Sequence, residues 1–269
     1  MVVLEKSLVT ALNAKSTGSG DITVVLSHGY GVDQSIWENI LPDLAQRCRV
    51  VVFDWNFLAV LAKSTDHGNS CYSTYEAFSD DLVALMDEMD LKNVVFVGHS
   101  MAGMIGCIAA VKRPDLFRRL VPLGASPRYL NSEGYKGGFE MQDVDNLLSA
   151  IETDFHSWAQ SFARLAVGGS DPGPAEKFGQ CLQRMRPDVA LELAKVVFWS
   201  DLRDVLDDVE VPCTIITGAN DIVVPMPVSH YMQTRIRGGA SLEVLDFDGH
   251  FPQLTACRSL LDALDRILS

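Results

Sequence analysis

Short apolar runs alternate along the chain with longer stretches in which apolar residues recur every three or four positions, a pattern that predicts strands interleaved with helices. The runs fall at 22–26, 50–53, 94–97, 120–123, 213–217 and 242–247. Most are rich in Val, Ile, Leu or Phe without polar alternation, which suits strands of a parallel sheet covered on both faces. A further run at 2–11 reads as an opening strand, and Lys15-Ser16-Thr17-Gly18-Ser19-Gly20 as a turn-rich break after it. Helical spacing appears at 35–46, where Ile36, Trp37, Ile40, Leu41 and Leu44 share a face, and at 75–89, with Phe78, Leu82, Leu85, Met86 and Met89.

Between the runs at 120–123 and 213–217 lie about ninety residues with no strand pattern. Met141, Val144, Leu147, Leu148, Ile151 and Phe155 form one helical stripe there, and Phe178, Cys181, Leu182 and Met185 a second. Asp188 is placed to start a third helix running through Leu191 to Trp199. A helical insertion between two sheet strands is a cap. Its aromatic residues outnumber what short helices need to pack among themselves, so some are expected to line a cavity beneath it.

Composition narrows the partners. Thirty-five acidic against 22 basic residues give a net charge of −13, and no stretch concentrates Lys and Arg, which excludes a nucleic-acid footprint. Six cysteines stand without C-x-x-C pairs, Cys107 and Cys213 inside apolar runs, and read as reduced thiols. The first fifteen residues lack a basic start followed by a long apolar run, and nowhere do eighteen apolar residues follow one another. The expectation is a soluble intracellular protein with no membrane segment.

The chemistry gathers where strands end. Residues 93–110, NVVFVGHSMAGMIGCIAA, are an apolar run that breaks at Gly98 and resumes as a small-residue helix, with Ser100 at the corner. This is the Gly-x-Ser-x-Gly elbow with Ala102 in the last position, in which a sharp strand-to-helix turn exposes a nucleophilic hydroxyl. The alternative is a serine that merely caps a helix. His28-Gly29-Tyr30-Gly31 follows the run at 22–26 and is placed to free the Tyr30 amide for an oxyanion, partnered by the amide of Met101. Asp221 comes just past the run at 213–217, and His250 just past the one at 242–247. Asp246 and Asp248 are rival acids but sit too near His250 in sequence. His67, in the polar loop 65–70, reads as solvated. The six histidines show no H-x-x-x-H or H-x-H spacing, and neither metal nor cofactor is expected.

Serine, aspartate and histidine in that chain order match the α/β-hydrolases. The match extends to more specific stretches: HGYGVDQSIW at 28–37, VGHSMAGMIG at 97–106, ASPRYLN and GYKGGFE between 125 and 140, FARLAVGG at 162–169, MRPDVAL at 185–191, SDLRDVL at 200–206 and DGHFPQL at 248–254. Over nearly its whole length the chain resembles the karrikin and strigolactone receptor family of plants, and the DGHFPQL ending lies closer to karrikin-type members. The resemblance implies an α/β-hydrolase core at 1–124 and 207–269, with a four-helix lid at 125–206 inserted between strands 6 and 7. It implies a pocket for butenolides lined by Tyr30, Tyr129, Phe139, Leu147, Phe162 and Phe198, and slow hydrolysis by Ser100, His250 and Asp221. Its implied partners are a leucine-rich-repeat F-box protein and Clp-ATPase-like repressors, met by a monomer in cytoplasm and nucleus. Two segments depart from the family pattern: 55–70 replaces a glycine-containing loop, and Arg164 stands where proline is usual. A metabolic carboxylesterase or lactonase shares every catalytic residue, while a complete triad weighs against a binding protein with vestigial chemistry.

Overall fold

The computed structural model describes residues 7–61 and 73–269. Seven strands among them form one sheet: β1 (Lys15–Thr17), β2 (Thr23–Ser27), β3 (Arg49–Val52), β4 (Val94–His99), β5 (Phe117–Leu123), β6 (Cys213–Asn220) and β7 (Ala240–Asp248). Their spatial order is β1-β3-β2-β4-β5-β6-β7, and all neighbours run parallel except β1, which lies antiparallel to β3 at the edge. Every residue of β4 is buried, as a strand covered on both faces requires. The carboxyl ends of β2, β4, β6 and β7 therefore open on one side of the sheet, where the candidate residues converge.

Helices α1 (Leu8–Ala11), α2 (Leu41–Leu44), α3 (Tyr75–Glu88) and α4 (Met101–Lys112) accompany the first half of the sheet. The expected strand at 2–11 is not one in its described part. Leu8–Ala11 is a helical turn, because the Leu8 amide and the Ser7 hydroxyl donate to the Glu88 carboxylate at the end of α3, an anchor that short apolar runs do not announce. The strand falls instead at Lys15–Thr17, which the sequence marks as a turn. It is exposed along its length, and an edge strand with no core face carries no apolar signal. The helix expected at 35–46 is two pieces, a 3-10 turn at Gln34–Trp37 and α2. Pro42 fits the first turn of α2 but not the interior of a longer helix. The buried face is the one expected, with Ile36, Trp37, Ile40 and Leu44 all in the core. Within 55–70, Phe57–Leu61 forms a 3-10 turn against the cap, and 62–70, with His67, lies outside the described residues.

The insertion separates β5 from β6, the two segments expected, which are the fifth and sixth strands here rather than the sixth and seventh. It contains α5 (Met141–Thr153), α6 (Phe155–Val167), α7 (Pro172–Gln183) and α8 (Pro187–Phe198). The single apolar stripe at 141–155 is broken at Asp154, whose carboxylate accepts from the Ser157 amide at 3.1 Å and starts α6. Helices α9 (Met226–Arg235), α10 (Pro252–Thr255) and α11 (Cys257–Leu268) complete the fold. Among the described residues no helix is long and apolar enough to cross a membrane.

Candidate active site

Ser100 stands between the last residue of β4 and the first of α4 with φ 57° and ψ −126°. A side chain in that region costs on the order of 1–3 kcal/mol and persists only where its surroundings impose it. Here the imposition is visible: the Ser100 amide donates to Leu123 O on β5 at 2.8 Å, and a Cβ on Gly98 would lie 2.5 Å from Ala102 O. The Ser100 side chain makes no capping hydrogen bond to α4. Its Oγ faces a cavity instead, 3.4 Å from the Tyr129 hydroxyl.

His250 occupies the turn after β7. Its Nδ1 lies 2.7 Å from Asp221 Oδ2, and the other Asp221 oxygen accepts from the amides of Val223 (2.8 Å) and Val224 (3.0 Å) just past β6. A carboxylate held at three points fixes the proton of the neutral ring on Nδ1, leaving Nε2 as a bare acceptor. That Nε2 is buried and has no hydrogen-bond partner. The rivals are elsewhere: Asp246 and Asp248 are both exposed, and Asp248 accepts from Asn220 Nδ2 at 2.8 Å.

Two further histidines support this end of the sheet. His99 Nε2 donates to the His250 carbonyl at 2.8 Å, and its ring centre is 4.8 Å from those of both His250 and Phe251. Burial, then the neighbouring His250, holds the His99 imidazole well below the ordinary range, so it stays neutral. His28 is likewise lowered by burial and accepts from the Trp55 amide at Nε2, 3.2 Å away. Both are packed groups. Among the described residues no three His, Cys, Asp or Glu side chains converge as metal ligands would.

Tyr30 sits in the loop after β2, and Met101 is the first residue of α4, whose amide belongs to the helix-terminal set lacking intrahelical acceptors. The Tyr30 hydroxyl donates to Ala190 O on α8 at 2.9 Å, joining the core loop to the cap. Ser100 and His250 share their cavity with Tyr30, Tyr129, Phe162 and Phe198, four of the six residues expected to line a pocket. Phe139 and Leu147 are not at its wall. Phe139 stands behind it, its ring 6.5 Å from Tyr129 and 5.4 Å from Phe198, and Leu147 is half-buried against the core on α5. The wall also includes Phe178, Val197, Val223 and Phe251. Phe251 was within reach of sequence reasoning, since it follows His250 directly; Phe178 needed the fold to separate it from its helical stripe.

The cavity is small, about 20 Å³, which is room for about one water. The rings of Phe178 and Phe251, 4.3 Å apart, pack together at its wall. A wider groove of about 500 Å³ lies on the outer side of the cap between α6 and α7, and Arg164 faces that groove rather than Ser100.

A model of the alpha/beta hydrolase family matches residues 24–263. Karrikin insensitive 2 receptor CA of Petunia hybrida is 43% identical over 247 residues, covering 91% of each chain. Strigolactone esterase D14 of Arabidopsis thaliana is 40% identical over 265 residues, 98% of each. The chain belongs to the karrikin and strigolactone receptor family of α/β-hydrolases. Among solved structures, a hydrolase from Oleispira antarctica superposes on this family member with a TM-score of 0.90 at 28% identity, covering 98% of this chain and 96% of that one.

Proposed function

We propose that this protein is a receptor for small butenolide ligands that also hydrolyses them slowly through Ser100, His250 and Asp221. The observation that carries the reading is the bare, buried Nε2 of a histidine anchored to Asp221, in the same cavity as a serine on a strained elbow. In this scheme the Ser100 proton passes to His250 Nε2 as Oγ attacks the ester or enol-ether-linked centre. Asp221 stabilises the resulting imidazolium, and the Tyr30 and Met101 amides receive the charge that develops on oxygen. Similarity to a karrikin-insensitive receptor and a strigolactone esterase supports the ligand class.

Ligand sites for small molecules run to roughly 300–1,000 Å³, far above the about 20 Å³ available here, so occupation requires residues at the wall to move, and the receptor reading puts that movement in the cap at 125–206. That movement is the signal in the receptor reading, read out by a leucine-rich-repeat F-box protein and Clp-ATPase-like repressors in cytoplasm and nucleus. A metabolic esterase or lactonase is the second reading, favoured by likeness to a bacterial hydrolase across nearly the whole chain. Melting curves with karrikin and with strigolactone stereoisomers separate the two. A receptor loosened by its active isomer melts earlier with that isomer and captures partner only in its presence. An esterase is only stabilised by whatever binds it.

A further inference from the structure

The hydroxyl of Tyr129 faces Ser100 and has no part in the triad or the oxyanion amides. Tyr129 is 1% exposed, and its ring is held between Phe198, 5.2 Å away, and Phe139. Its backbone is pinned as well. Tyr129 O accepts from the Phe139 amide at 3.1 Å, Asn131 N donates to Phe139 O at 2.8 Å, and Leu202 N donates to Pro127 O at 2.8 Å. The phenol is thereby fixed across the cavity from the nucleophile, at 3.4 Å. That is longer than the roughly 2.5–3.0 Å of a good O–H···O bond, so it does little to hold Ser100. At contact distance from Oγ, the phenol borders any group that becomes bonded to Oγ.

We propose that Tyr129 is a further catalytic residue, donating a hydrogen bond to the leaving-group oxygen as the acyl bond breaks. This rests on Ser100 as the nucleophile. When Oγ bonds to the carbonyl carbon, its proton has gone to His250 Nε2 and the carbonyl oxygen points at the Tyr30 and Met101 amides. The leaving oxygen, two bonds from Oγ, enters the gap before Tyr129. As the carbon–oxygen bond breaks, that oxygen takes the electron pair and accepts the phenol's hydrogen bond, then receives the proton held by His250. Tyr129 keeps its own proton throughout. Burial raises the phenol well above its ordinary range, so it is a donor at every working pH. The substrate class favoured is an ester of an enol or phenol, whose leaving oxygen carries charge that a single fixed donor can stabilise.

The test is kcat/KM, which reports acylation, for wild type and Tyr129→Phe with a series of aryl acetates from phenyl to p-nitrophenyl acetate. A hydrogen bond to a charged oxygen corresponds to about tenfold to hundredfold in rate. Loss of that size is expected for phenyl acetate, with less than about threefold for p-nitrophenyl acetate, whose leaving group needs little help. The ratio between the two substrates does not depend on how much of the variant is folded. A uniform loss across the series, or a gain in rate, overturns the proposal. Turnover of these esters by the wild type that Ser100→Ala does not reduce would instead remove the reading beneath it.

Discussion

The backbone amide of His250 donates to the carbonyl of Ala166, 2.8 Å away, and so ties the loop that carries the imidazole to the last turn of cap helix α6. The contact is tight. Gly249, at φ 83°, lies so close to this turn that a Cβ on it would stand 1.8 Å from Val167 O. Displacing that end of α6 displaces the imidazole as well, so cap and triad are mechanically one unit at this point.

Gly249→Ala tests the tie. The strain of a side chain at that φ, with the clash added, is expected to cost at least about 1–3 kcal/mol and to lower kcat tenfold or more as His250 shifts. Denaturant unfolding and ester turnover read the two effects. Unchanged values for both would mean the loop is not constrained by α6.

The acid of the triad is open to direct comparison. Asp221→Asn is expected to lower kcat by roughly 10³–10⁴ with the fold retained, because the ring loses the partner that sets its tautomer. Asp248→Asn, in an exposed carboxylate that meets Asn220 rather than the ring, is expected to leave kcat within about twofold. The reverse ranking would assign the acid to Asp248.

How much of this was legible depends on where the signal lies. Ser100, Asp221 and His250 each follow an apolar run, so the sheet topology that brings them together is written in their spacing. The Tyr30 loop was legible for the same reason. Leu147 is absent from the cavity wall and Phe178 is at it, because a helical stripe says that a residue is buried and not which side of the cap it faces. The exposed edge strand Lys15–Thr17 carries no apolar pattern at all. The break between α5 and α6 turns on one capping residue, Asp154, set inside an otherwise continuous stripe.

Stability should respond to acid through two buried imidazoles. His28 and His99 are both lowered from 6.5 by burial, so the unfolded chain binds more protons than the native one once the pH falls below about 6.5. Native stability is therefore flat above that pH and declines below it, down to the depressed native values, by up to about 1.4 kcal/mol per pH unit for each ring. Urea unfolding at pH 7.5 and pH 5.5 measures the difference. Equal stability at both would contradict the buried neutral state.

Enlarging the cavity should change which substrates fit. Phe178→Ala removes a ring packed at 4.3 Å on Phe251 and is expected to destabilise the fold by about 3–5 kcal/mol. It should lower KM for a bulky aryl ester while leaving that for a small acetate nearly unchanged. An equal effect on both would mean that the Phe178 ring does not limit the size of substrate.

The most direct measurement is the hydrolysis of a strigolactone analogue or aryl ester by Ser100→Ala, on protein whose melting curve matches the wild type. Loss of a triad nucleophile lowers kcat by several orders of magnitude, and that is the predicted result. Retention of about a tenth of the wild-type rate would contradict the account, because water or another side chain would then be carrying the reaction.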